Sequence, residues 1–253
     1  MAPIFKWIIS LMVTVKEHYE NHLAKYYSWM SGGFSKKLED NSNFFKDHNL
    51  WPRRSRVAVD LGAGSGFQSI PLGELGYQVI ALDLSHQLLA ELKENAKGLS
   101  IEIINDDLLN FSKYSPDKVE LVVCMGDTLT HLNTHQNIRE LFKSVYNALE
   151  IGGHVVLTFR DLTIELKGLD RFIPVRNDAN IIFTCFLEYE KDYVGIHDII
   201  YEKKHDQWEM KKSVFNKIRI SPQWTRKILQ EFGFKVETYD IYNGVVCIIA
   251  RKK

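Results

Sequence analysis

The chain has 253 residues, 45% hydrophobic and 25% charged, with 32 basic against 32 acidic side chains and no formal net charge. That length suits one large domain or a domain carrying an insertion, and the neutral balance argues against nucleic-acid binding through a broad basic surface. Cys124, Cys185 and Cys247 lie far apart in apolar runs without a CxxC, which excludes a disulfide framework and fits a reducing, cytoplasmic setting.

Residues 3–15 read PIFKWIISLMVTV. The run falls short of the roughly 20 apolar residues that span a bilayer and has no signal-peptide cleavage site. It predicts an amphipathic helix packed on the body or on a partner, without stable membrane insertion. Residues 1–50 as a whole predict a helical segment, dense in aromatics from His18-Tyr19 to Tyr26-Tyr27-Ser28-Trp29 and broken at Ser31-Gly32-Gly33. It packs on the body or forms a hinged lid around Tyr19, Tyr26, Tyr27 and Trp29.

Residues 51–253 predict a second unit. After Trp51-Pro52, strand and helix signals alternate: strand 56–61, helix 66–75, strand 77–83, helix 86–96, strand 100–104, strand 119–125, helix 134–149 and strand 153–160. Such alternation predicts an α/β doubly wound, mostly parallel, seven-stranded sheet. Three consecutive strand-like runs, 180–190, 193–204 and 207–218, predict a three-stranded antiparallel insertion over about 178–219. Ser221-Pro222 caps a helix that stops at Gly233. Strands 234–242 and 245–251 then close the sheet as an antiparallel hairpin through Asn243-Gly244.

The first strand ends in Asp60-Leu61-Gly62-Ala63-Gly64-Ser65-Gly66. Glycines at the carboxyl end of a parallel strand let a ligand lie against the backbone. The spacing departs from the nicotinamide GxGxxG, because the sixth position is Phe67, and no P-loop lysine follows. The second strand ends at Asp83, which suits hydrogen bonds to two ribose hydroxyls or a cap on the next helix. The third ends in Asn105-Asp106-Asp107-Leu108, where Asp107 fits an adenine amino group or simply a turn. The fourth runs into Met125-Gly126-Asp127-Thr128-Leu129-Thr130-His131-Leu132.

These four segments, in this order, resemble the motifs of class I S-adenosylmethionine-dependent methyltransferases over roughly residues 56–160, and the closing hairpin also belongs to that family's sheet. More loosely, MGDTLTHL and the insertion are similar to glycine N-methyltransferase-like enzymes. The resemblance implies S-adenosylmethionine as cofactor and a small-molecule acceptor of unknown identity, methylated at nitrogen or oxygen. It places Asp60, Gly62, Ala63, Gly64 and Gly66 at the methionine end and Asp83 with Leu84 at the ribose. It places Asp107 and Leu108 at the adenine, and Met125, Gly126 and Asp127 along the far side, with Tyr27 covering the cofactor.

In-line methyl transfer mainly requires alignment and exclusion of water. His131 is the candidate base or a helix-entrance packing residue. Arg160 binds an acceptor carboxylate or pairs with Asp161, both at the edge of the site. His18/His22 and His131/His135 are each four apart, but neither pair has the glutamate of HExxH. They predict solvent-facing histidines and no metal. The alternatives are an NAD(P)-dependent oxidoreductase, disfavoured by Phe67 and the hairpin, and a non-catalytic cofactor-binding partner protein.

Overall fold

The computed structural model describes residues 13–253. Most of the apolar run 3–15 therefore lies outside the described residues. Its end pairs backbone with the later insertion, Val13 N donating to the Val214 carbonyl at 3.1 Å. Thr14 then caps α1 (Val15–His18), its hydroxyl accepting from Glu17 N while the Glu17 carboxylate accepts from Thr14 N. This reciprocal capping satisfies two helix-terminal donors. The chain continues as a π turn (Tyr19–Leu23), a 3-10 turn (Ala24–Tyr26) and α2 (Tyr27–Met30), then bends at Gly32 and Gly33 into α3 (Phe34–Asp47).

The alternating elements follow: β1 (Val57–Leu61), α4 (Ser69–Glu74), β2 (Gln78–Asp83), α5 (His86–Asn95), β3 (Ile101–Asn105), β4 (Val119–Cys124), α6 (His135–Ala148) and β5 (Leu149–Arg160). The insertion comprises β6 (Phe172–Asn177), β7 (Ile181–Tyr189), β8 (Tyr193–Lys204) and β9 (Gln207–Ile218). α7 (Pro222–Glu231), β10 (Phe234–Tyr242) and β11 (Val245–Lys252) finish the chain. The main sheet runs β10-β11-β5-β4-β1-β2-β3, with β11 antiparallel to both neighbours. The hairpin turns at Asn243 and Gly244, both at positive φ, as a tight primed turn demands.

Helices cover both faces of this sheet. Phe142, Leu141, Ile228 and Leu229 of α6 and α7 pack on one face with Val59, Leu61 and Leu82. Phe45, Leu72, Leu89 and Leu92 of α3, α4 and α5 pack on the other with Ala58, Val79 and Val123. Each large side chain fully buried in these layers contributes about 1.5–3 kcal/mol. Among the described residues, no helix is long and apolar enough to cross a membrane.

The insertion is one antiparallel sheet of four strands, β6-β7-β8-β9, rather than three. β6 escapes a sequence reading because Pro174 interrupts it. Proline is tolerated on an edge strand or at a bulge, and here the register with β7 shifts between Pro174 and Arg176. The inner face of this sheet receives the N-terminal helices: Leu23 and Tyr26 pack on Phe183 and Ile200, with Tyr19 and Trp29 beside them.

Candidate active site

A cleft opens where β1, β2 and β4 end. Its walls include Gly62 and Gly64 of the first loop, Asp83, Leu84 and Ser85 after β2, Asp106 and Leu108 after β3, and Gly126, Thr128 and His131 after β4. Val15, Lys16, Tyr19 and Tyr27 of the N-terminal helices roof it. The space within it, open solvent at its mouth included, is about 590 Å³.

The floor is preorganised by Asp83. One carboxylate oxygen accepts from Gly64 N and the other from Ser85 N, both at 2.8 Å. Burial raises its pKa, while the amides of Ser85, Gly64 and Leu84 pull it back. Ser85, not Asp83, caps α5, by accepting from Leu88 N. Gly64 sits at φ +51, its missing Cβ 3.4 Å from the Tyr27 ring. At Gly126 (φ +71) a Cβ would meet nothing within 4 Å, so its backbone faces open cleft.

Asp60 points away from the cleft, beneath the loop, where the Ser69 hydroxyl donates to it at 2.6 Å. Burial pushes its carboxyl up to about 7, against those Ser69 bonds. Ala63 is buried, and Gly66 packs against Leu92. Met125 belongs to the core on the helical face rather than to the cleft wall. At the β3 end, Asp106 lines the cleft while Asp107 caps the following 3-10 turn, accepting from Leu109 N at 2.9 Å. Asp106 in turn accepts from the Tyr114 hydroxyl and Asn110.

Asp127 takes a left-handed backbone, φ +77. One carboxylate oxygen accepts from Arg160 N at 2.7 Å; the other holds the Lys217 ammonium at 2.8 Å, with the Arg160 guanidinium at 3.6 Å. Burial would raise this carboxyl, but the Lys217 and Arg160 charges outweigh it and hold it well below the usual carboxylate range. The Arg160–Asp161 pair, one of the two alternatives for Arg160, does not form. Asp161 instead accepts from the backbone and hydroxyl of Thr163, because Asp127 offers Arg160 a nearer carboxylate. The Arg160 side chain stays 68% exposed.

Lys217 is a residue that motif reading missed. It lies on β9 in phase with Ser213 and Phe215, and alternate residues of a strand share a face; that phase was the available signal.

His131 lines the cleft with its ring against Phe215 and edge-on to Tyr19. Burial, aided by the Lys217 ammonium, pushes its pKa down to about 3, so the ring is neutral. Nε2 lies 3.4 Å from the Tyr19 hydroxyl, and Nδ1 is buried without a partner. A buried unpaired nitrogen costs about 1–3 kcal/mol.

The solvent-facing reading of the histidines fails at His18 and His131. His18 is fully buried, its ring nitrogens 3.0 Å from Asp198 and 2.9 Å from Ser213. The antiparallel sheet supplies those partners, so helical spacing alone misled. His22 is partly buried as well, with its Nε2 unpaired. Among the described residues, no three His, Cys, Asp or Glu side chains cluster as metal ligands. Of the aromatics read as a lid, Tyr19 and Tyr27 face the cleft, whereas Tyr26 and Trp29 turn to the sheet, bonding Glu202 and Asp178.

A family model described as a methyltransferase domain matches residues 58–153. A glycine/sarcosine/dimethylglycine N-methyltransferase of Actinopolyspora halophila is 24% identical over 81% of this chain, and the match takes in 36% of that protein. The chain thus spans little more than a third of that relative's length. A glycine/sarcosine N-methyltransferase of Aphanothece halophytica is 22% identical over 88% of this chain and 84% of its own. Among solved structures, the CcbJ methyltransferase of Streptomyces caelestis superposes with a TM-score of 0.76 at 15% identity, covering 94% of this chain and 98% of that one. That likeness speaks to the fold.

Proposed function

The chain carries a class I S-adenosylmethionine-dependent methyltransferase domain, and we propose that it methylates a small amine bearing an acidic group. The observation that carries this reading is one roofed cleft shared by the glycine loop, Asp83, the open backbone of Gly126 and the His131 side chain.

Those residues fit the cofactor. The second lone pairs of Asp83 are suited to the ribose hydroxyls, and Leu84 and Leu108 to the two faces of the adenine, with Asp106 and Asp107 at its rim. The backbone of Gly62, Gly64 and Gly126 leaves room for the methionine end, and Tyr27 closes over it. Asp60, Ala63, Gly66 and Met125 act from behind, by shaping the loop and strand. S-adenosylmethionine supplies a methyl group on a sulfonium, an electrophile that needs an aligned nucleophile and a dry site.

His131 serves by position. A neutral ring is a poor base near pH 7 when its pKa lies near 3, so it helps orient the acceptor within the cleft rather than taking its proton. The amine must arrive uncharged. Asp127 is committed to Lys217 and Arg160, so it does not take the proton. The guanidinium of Arg160 pairs with Asp127 at 3.6 Å, but at 68% exposure it keeps donors for an acceptor carboxylate, consistent with relatives named for glycine and sarcosine.

Calorimetry with S-adenosylmethionine, S-adenosylhomocysteine and NADH tests the cofactor. Turnover on a panel of amino acids, amino sugars, plain amines and phenols tests the acceptor. Binding of NADH alone would refute the first assignment, and turnover confined to phenols the second.

A further inference from the structure

We propose that Glu91 is a positioning residue that couples occupation of the glycine loop to closure of the N-terminal roof; the inference rests on the cofactor assignment above. Glu91 lies on α5, the helix that starts just beyond Asp83. One of its carboxylate oxygens accepts from the Ser28 hydroxyl of α2 and the other from the Ser65 hydroxyl of the glycine loop, each at 2.6 Å. Short O–H···carboxylate bonds of this kind are charge-assisted and directional. Ser65 is fully buried, so its hydroxyl has no water to turn to instead.

The bridge spans two parts of the chain that have different tasks. Ser65 stands between Gly64 and Gly66, in the loop where the cofactor's backbone contacts fall. Ser28 follows Tyr27, whose ring roofs the cleft, stacks on Phe67 and lies against Gly64. The other side-chain ties of the roof lead mostly to the antiparallel sheet: His18 to Asp198 and Ser213, Lys25 and Tyr26 to Glu202, Trp29 to Asp178. Among the described residues, Glu91 is the one side chain bonded to both roof and glycine loop. Ring packing tolerates small shifts, whereas a carboxylate held at both oxygens transmits them. A loop fixed by cofactor contacts therefore fixes Ser65, then Glu91, then Ser28, and the roof closes over a loaded site.

The test is hydrogen exchange of residues 15–30 with and without saturating S-adenosylhomocysteine, in the full chain and in Ser28→Ala, Glu91→Ala and Glu91→Gln. The parent protein should exchange at least about tenfold more slowly when the ligand is bound, the scale expected for one charge-assisted bond. Ser28→Ala should bind the ligand within about threefold of the parent affinity yet lose most of that slowing, as one bridging bond is gone. Glu91→Ala should lose it entirely. Glu91→Gln, which can accept from one serine and donate to the other, should restore part, and a merely structural role would not show that graded recovery. Full slowing retained in Ser28→Ala overturns the coupling, and that variant keeps the test decisive if Glu91→Ala fails to fold. Ligand that binds without slowing exchange in the parent protein overturns the coupling alone. Ligand that does not bind overturns the cofactor assignment as well.

Discussion

Replacing Asp83 by alanine should act twice, once on the empty protein and once on its affinity. In the empty protein the variant strands two backbone donors, Gly64 N and Ser85 N, each 2.8 Å from a carboxylate oxygen. Hydrogen bonds to a charged group contribute about 1.5–3 kcal/mol each. The loss is partly offset, because burial already disfavours this carboxylate and water can enter the cleft to reach the freed amides. A net loss of about 1–3 kcal/mol in unfolding free energy follows. Affinity for S-adenosylhomocysteine should fall by a further 1.5–3 kcal/mol, roughly ten- to hundredfold, if the ribose hydroxyls donate to the same carboxylate. Urea denaturation with and without ligand separates the two, since a ligand that binds only the folded state adds RT ln(1 + [L]/Kd). A folded Asp83→Ala protein with unchanged affinity refutes the ribose assignment, whatever its stability.

Gly64→Val should abolish calorimetric binding in a protein that still folds, since a β-branched residue resists φ +51 and its side chain would press on Tyr27. Lys217→Met should cost about 3 kcal/mol in urea denaturation by leaving Asp127 buried with only Arg160. Adding Asp127→Asn should recover much of that loss, and strict additivity would refute the pair's importance. His131 has its folded pKa near 3 against an ordinary 6.5, so the unfolded chain binds the proton first; the stability it protects is full above pH 6.5 and is lost as pH falls toward 3. His131→Phe should flatten acid-side destabilisation in that window, and an unchanged pH profile would refute the burial argument. A chain beginning at Phe34 should fold and keep weakened cofactor binding but lose turnover, because α3 packs on the main sheet while Tyr19 and Tyr27 are removed; normal turnover would refute the roof.

What was legible in the sequence is what local chemistry encodes. The β-branched runs, the Ser85 and Ser221 caps and the Asn243-Gly244 turn each fix their element within a few residues, and all of them form. The glycine loop, Asp83 and Gly126 stand at strand ends, so the order of motifs gave the layout of that wall of the cleft. Pairings across the antiparallel sheet were not legible. Cys185, Asp198 and Ser213 stand in register on adjacent strands, and only that register brings Asp198 and Ser213 to His18. Sequence left Arg160 either to pair with Asp161 or to bind an acceptor carboxylate, and the chain presents Asp127 to it instead of Asp161. Asp106 and Asp107 are adjacent, and which of them faces the cleft depends on the turn after β3, which no periodicity specifies.

The cleft wall after β4 is therefore set from a distance, and Asp127 shows how. A non-glycine residue at φ +77 is costly unless its surroundings over-determine it. Here the Asp127 amide donates to the Thr158 carbonyl at 3.3 Å, one carboxylate oxygen holds Arg160 N, and the other holds Lys217 of β9. Those bonds anchor the loop between Gly126 and Thr128, both of which line the cleft, and carry His131 a turn further on. Lys217 thus shapes the cleft wall after β4 without lining it. The antiparallel sheet, by supplying one buried ammonium, takes part in shaping the loop on which the proposed methyl transfer depends.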